Sequence, residues 1–142
     1  MIRKMTERDV PGVHKLELEC FSAPWSEMSL KKEVNNEQSL FYVCEEDGEI
    51  AGYAGMYLIC DEGDITNVAV SEKYRGRKIA TEILKKMFED AKTRGVHKFT
   101  LEVRKSNSVA IGLYERLGFA AEGCRKNFYT DPAEDGLIMW KR

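Results

Sequence analysis

Histidine is scarce in this chain, with two residues (His14 and His97), and neither stands near any of the four cysteines Cys20, Cys44, Cys60 and Cys124. Those cysteines include no C-x-x-C pair, so the spacing argues against zinc, and no metal is expected. Long apolar runs are missing too. The opening MIRKMTERDV lacks the apolar core of a signal peptide, and no run approaches membrane-spanning length. The expectation is a reduced, cytoplasmic protein with no membrane partner, whose cysteines are buried as small hydrophobes. An excess of positive charge is also absent. A net charge of -2 and a pI near 5.8 argue against direct nucleic-acid binding, which needs a basic face. Repeats, linkers and low-complexity segments are lacking, so residues 1–142 are expected to form one domain.

What is present is 43% hydrophobic and 32% charged sequence, enough for a sizeable core, in well-marked blocks. MIRKMT reads as a short edge strand. Thr6 then caps a helix over TERDVPGVHKLELECF, with Asp9 as its acidic partner and Val10, Val13, Leu16 and Cys20 as its buried stripe. A second short helix starts at Ser26. The runs SLFYVCEE and EIAGYAGMYLIC flank Asp47-Gly48, a tight-turn dipeptide, and GDITNVAV completes a three-strand meander. From about Arg77 to Arg94, apolar residues step by three and four, and Gly95 ends that helix. KFTLEV alternates as a strand, with Glu102 on its polar face. Ser106 or Asn107 caps a last helix that Gly118 closes, and FAAEGCRKNFY pairs with DGLIMWK. The order implies a mixed α/β (α+β) fold, one sheet of about seven strands with helices on both faces.

One stretch carries more than architecture. In NVAVSEKYRGRKIATEIL, four basic residues (Lys73, Arg75, Arg77, Lys78) fall between a strand and a strong helix. Such a turn aims the helix's free N–H groups and its dipole at whatever sits there, which favours a small anion. Gly76 permits close backbone approach. A solvated loop is the plainer reading of an isolated R-G-R-K, but its placement favours a diphosphate-sized ligand. Neither G-x-G-x-x-G nor G-x-x-x-x-G-K-[ST] is present.

VAVSEKYRGRKIA resembles the acetyl-CoA motif [QR]-x-x-G-x-[GA] of the GCN5-related N-acetyltransferases (GNAT). Arg75 and Ala80 match its ends, while Lys78 replaces the middle glycine. The element order is also that family's, across nearly the whole chain. FSAPWS, LEVRKSNSVAIGLYERLGF and RKNFYTDPAEDGLIM are similar to the RimI-type members, which acetylate the N-terminal alanine of a small-subunit ribosomal protein; Phe128 and Gly136 stand where Tyr and Ala are commoner. The resemblance implies a mostly antiparallel sheet and acetyl-CoA as cosubstrate. It also implies a protein N-terminus as acceptor and a splayed strand at Val68, Ala69 and Val70 whose backbone pairs with the pantetheine arm. Arg75, Gly76, Arg77, Lys78, Ile79 and Ala80 would then hold the diphosphate.

Acetyl transfer to an amine needs a neutral nitrogen, a polarised thioester and a proton for the departing thiolate. An α-amino group titrates near about 8, so a carboxylate acting directly or through water suffices as base. A phenol can protonate the thiolate. From the residues alone, Glu102 is an exposed strand residue and Tyr114 a core aromatic beside Leu113 and Leu117. The resemblance implies that Glu102 is the general base and that Tyr114 is the general acid and touches the cofactor. Asn107 can cap its helix, hold the amide-rich arm of coenzyme A, or both. Trp25, Phe128, Tyr129 and Asp135 stand where an acceptor rim would lie, although Trp25 also fits a plug between helices. Rival readings are acetylation of another amine and a non-catalytic acyl-CoA sensor.

Overall fold

Residues 1–142 are all described by the computed structural model. Ile2–Lys4 forms β1, an edge strand. Thr6 then turns the chain into a short 3-10 segment, Glu7–Asp9, its backbone N–H donating to Asp9 Oδ2 at 2.8 Å. The expected first helix therefore opens with this tighter turn, and the α-helix proper, α1, spans Val10–Cys20 with Pro11 in its first turn. There the missing N–H of proline costs nothing. α2 spans Glu27–Val34, and Ser26 Oγ caps it by accepting from Ser29 N at 3.1 Å.

Three antiparallel strands follow: β2 (Ser39–Glu46), β3 (Glu49–Ile59) and β4 (Glu62–Val70). Asp47 and Gly48 both take positive φ at the first hairpin, as a two-residue primed turn requires. A second 3-10 turn, Glu72–Tyr74, leads into α3, Ile79–Thr93. This helix begins two residues later than its periodicity predicts, because Gly76 (φ 82°) and Lys78 (φ 61°) hold the preceding turn in left-handed backbone. β5 (Lys98–Arg104) runs parallel to β4, α4 spans Ser108–Arg116, and β6 (Ala120–Thr130) and β7 (Ala133–Lys141) form the closing antiparallel pair. The sheet order is β1-β2-β3-β4-β5-β7-β6, mixed and mostly antiparallel.

Alternation along the strands divides the core between the two faces. On one face the α3 residues Ile83, Leu84, Met87 and Phe88 pack with Phe99, Leu101 and Met139, and Tyr114 and Phe119 join them from α4 and its exit. Phe88 lies 4.6 Å, centroid to centroid, from Phe99 and 6.1 Å from Phe119. Each such fully buried side chain contributes about 1.5–3 kcal/mol. On the other face, Val13 and Leu16 of α1 and Leu30 of α2 pack on Phe41, Val43 and Tyr53. That cover stops at β4, so the polar faces of β5, β7 and β6 lie beyond it. No helix is long and apolar enough to cross a membrane. Of the four cysteines expected to be buried, Cys44 is, Cys20 is half-buried, and Cys60 and Cys124 are exposed.

Candidate active site

The ladder between β4 and β5 is short. Its pairs run from Glu62 with Lys98 to Ile65 with Leu101 and stop there, although β4 continues to Val70 and β5 to Arg104. Beyond that point β4 is paired only with β3, and β5 only with β7. Parallel neighbours thus part into a gap bordered by free backbone. Ser71 N donates to Ala51 O at 2.8 Å, which fixes the alternation of the β3–β4 ladder. Ala69 opposite Tyr53 and Asn67 opposite Gly55 spend their backbone groups on β3. Val68 and Val70 turn theirs toward the gap. Val70 O is the exception to free capacity, since it accepts from Arg75 Nε at 3.1 Å and from Cys20 Sγ at 3.6 Å.

At one end of the gap lies the basic turn. The first α-helical bond of α3 runs from Glu82 N to Lys78 O, 3.0 Å, so the N–H groups of Ile79, Ala80 and Thr81 have no partner inside the helix. Ile79 sends its side chain into the core and offers only its amide. Gly76 leaves open space, with nothing within 4 Å of where a Cβ would stand. Of the four cations that the sequence places here, Lys73 pairs with Glu49 at 2.6 Å and Arg75 reaches back to Val70 O; Arg77 lies over the Tyr74 ring at 5.3 Å. Lys78, the N-cap of α3, is exposed.

Of the two candidate catalytic groups, Glu102 borders the point where the ladder parts, next to Leu101, and Tyr114 belongs to the core on the opposite face of the sheet. Glu102 lies on the polar face of β5, three-quarters buried, with Arg125 Nη2 of β6 at 3.6 Å from Oε1. Asp64, paired with Thr100 in the β4–β5 ladder, shares that face. Burial, then the nearby Glu102 carboxylate, raises the Asp64 carboxyl above its ordinary range. Tyr114 enters from α4 with its ring against Phe119, centroids 5.9 Å apart, and burial, with a further contribution from Tyr129, pushes its phenol up to about 12. Tyr129 of β6 is itself raised, by burial and then by Glu102. Tyr129 therefore lies within electrostatic reach of both candidates, and a neutral phenol at Tyr114 is available as a proton donor at neutral pH. Asn107 caps α4 by accepting from Ala110 N at 3.2 Å, which leaves its Nδ2 hydrogens for a ligand.

The rim on the Glu102 face joins two segments distant in sequence. Ser22 Oγ, in the α1–α2 connection, donates to Asp131 O in the β6–β7 turn at 2.9 Å. Trp25 packs against Phe41, 6.1 Å between centroids, and so plugs the second core, while Phe128 is 41% exposed with Tyr129 edge-on to it at 5.0 Å. Asp135 Oδ1 accepts from Asn127 N at 2.9 Å and is committed to shaping β6. Arg125 and Asp64 escape sequence reasoning because cross-strand partners are set by register alone, and the Ser22–Asp131 link because it joins a loop to a turn 109 positions away. A cavity of about 1030 Å³ lies elsewhere, against α1 and the β2–β3 turn, lined by paired charges such as Arg3 with Asp9 and Lys73 with Glu49; it contains neither Glu102 nor Tyr114.

Residues 10–119 match the model of the acetyltransferase (GNAT) family. A Bacillus subtilis (strain 168) protein is 38% identical over 140 residues, covering 98% of this chain and 93% of its own. The crystal structure of the ribosomal-protein-S18-alanine N-acetyltransferase from Escherichia coli superposes with a TM-score of 0.90 at 32% identity, over 99% of this chain and 92% of that one. The PaiA N-acetyltransferase from Thermoplasma acidophilum, solved in complex with coenzyme A, shares the fold at a TM-score of 0.82 and 20% identity, over 100% and 98% of the two chains.

Proposed function

This chain belongs to the acetyltransferase (GNAT) family and to its RimI type, and from that premise we propose that it acetylates the N-terminal alanine of small-subunit ribosomal protein eighteen, with acetyl-CoA as donor. The observation that carries the reading is the gap between β4 and β5, with a helix start beyond β4 at one end and Glu102 beside the last ladder pair at the other. Residues 1–142 act as one catalytic domain.

The amides of Ile79, Ala80 and Thr81, with Gly76 and the Arg77 and Lys78 side chains, hold the diphosphate. Arg75 braces the turn against Val70 O. The Val68 backbone and the Val70 amide align the extended arm beside β4, while Ala69, whose backbone groups pair with β3, holds that segment in the sheet, and Asn107 Nδ2 adds a donor from α4. Acetyl-CoA supplies the activated acetyl group. Glu102 takes the proton of the α-ammonium, directly or through a water, and the neutral amine attacks within the ternary complex. As the C–S bond breaks, Tyr114 delivers a proton to the departing thiolate, and the second proton shed by the acylated nitrogen leaves to water, from which the phenol is restored. The acceptor enters between the α1–α2 connection and the β6–β7 turn, beside Trp25, Phe128 and Tyr129.

Thiol release from acetyl-CoA, followed with an alanine-terminated peptide of the ribosomal protein, tests this reading. Turnover with that peptide and none with the same peptide carrying a blocked terminus is the expected result. Silence with it, alongside turnover of a lysine, polyamine or other amine, overturns the acceptor.

A further inference from the structure

α1 carries a charge on its buried stripe. Glu17 lies seven positions after Val10 and four after Val13, and its side chain is 1% exposed. A leucine there would continue the apolar face; a buried carboxylate is costly unless several donors surround it. Three donors do. Trp25 N, at the entrance to α2, donates to Oε1 at 2.8 Å. Tyr53 Oη of β3 and Asn67 Nδ2 of β4, the latter at 3.3 Å, donate to Oε2. His14 Nδ1 meets the carbonyl of the same Trp25 at 2.9 Å, so the residue is held at both backbone groups. Since Glu17 accepts only, Asn67 must present its amide nitrogen to it, and Asn67 Oδ1 is left enclosed without a partner.

We infer that Glu17 is a positioning residue for the acceptor, fastening the acceptor-side connection between α1 and α2 to the strand that borders the gap. The inference rests on the acetyl transfer proposed above. Trp25 and Ser22 form one wall of the acceptor entrance, and Asn67 precedes Val68 on β4. A carboxylate gathering Trp25, Tyr53 and Asn67 at two oxygens sets the distance between that wall and the thioester side. Glu17 touches neither substrate, so its loss changes how the acceptor is seated more than how the cofactor binds.

The test uses the full chain. Glu17→Gln keeps the shape but turns one acceptor into a donor facing donors. Its Michaelis constant for the alanine peptide should rise about tenfold, with kcat and calorimetric acetyl-CoA affinity within about threefold of the parent. Adding Asn67→Asp to Glu17→Gln restores complementary donors and acceptors, and should bring the constant back to within about threefold. A merely structural role would lower the melting temperature without moving the acceptor constant, and that outcome overturns the inference. If Glu17→Gln fails to fold, Tyr53→Phe, which deletes one donor, takes its place with an expected rise of about threefold, and an unchanged constant is decisive against it. A parent protein silent on the alanine peptide removes the acceptor assignment and this inference together; an active parent with unaltered variants removes this inference alone.

Discussion

Arg125 of β6 holds its guanidinium 3.6 Å from the carboxylate of Glu102, across the intervening strand β7. The pair places a cation beside the proposed base. Glu102→Gln should lower turnover by about a hundredfold or more, the usual contribution of a positioned general base, while acetyl-CoA affinity measured by calorimetry stays unchanged. Equal turnover would assign Glu102 to the surface of the strand.

Tyr114 makes no hydrogen bond through its hydroxyl to another protein group, although its ring is buried against Phe119. Tyr114→Phe should therefore leave the melting temperature nearly unchanged and reduce thiol release by about a hundredfold at saturating substrates. With the phenol pushed up to about 12, the parent keeps its proton donor well past neutrality, so loss of the acid form should not limit turnover below about pH 10.

Lys78 occupies left-handed backbone, φ 61° and ψ 26°, where a side chain costs about 1–2 kcal/mol and glycine costs little. Lys78→Gly should raise stability in urea by about 0.5–1 kcal/mol, the strain relieved less the added freedom of the unfolded chain. Its coenzyme A affinity should fall by no more than the loss of one exposed charge, because the amides of the turn remain. Lys78→Val, β-branched, should destabilise the same turn.

Asp64 has a carboxyl raised by burial and by Glu102, so the folded protein binds its proton more tightly than the unfolded chain does. Whatever stability this group brings is complete below the unfolded value and is lost as pH rises through the folded one. At neutral pH its charge is thus a liability. Asp64→Asn should raise the thermal midpoint at pH 7, and the difference from the parent should vanish on titration below about pH 4.

Strands and helices were legible wherever alternation or a three-four step repeats over a full element, as in Phe99, Leu101 and Val103 or in Ile83, Met87 and Ala91 of α3. The start of α3 was not, because no local rule announces a lysine in left-handed backbone. Glu102 and Tyr114 were legible as positions, and the outward face of Glu102 follows from the strand period. Arg75 was legible as a cation but not as a brace, since its bond to Val70 O depends on how the turn folds back. Glu17 did leave a signal, a charge on the stripe of Val10, Val13 and Cys20; the donors that justify it come from 8, 36 and 50 positions away.

The parting of β4 from β5 after Ile65 and Leu101 has a mechanical consequence. A seven-stranded sheet open along part of one internal seam leaves two facing rows of unpaired backbone, and an extended molecule laid between them would serve as a substitute strand. Its presence would complete the hydrogen bonding that the two strands leave unmade, so the ligand becomes part of the sheet for as long as it stays bound.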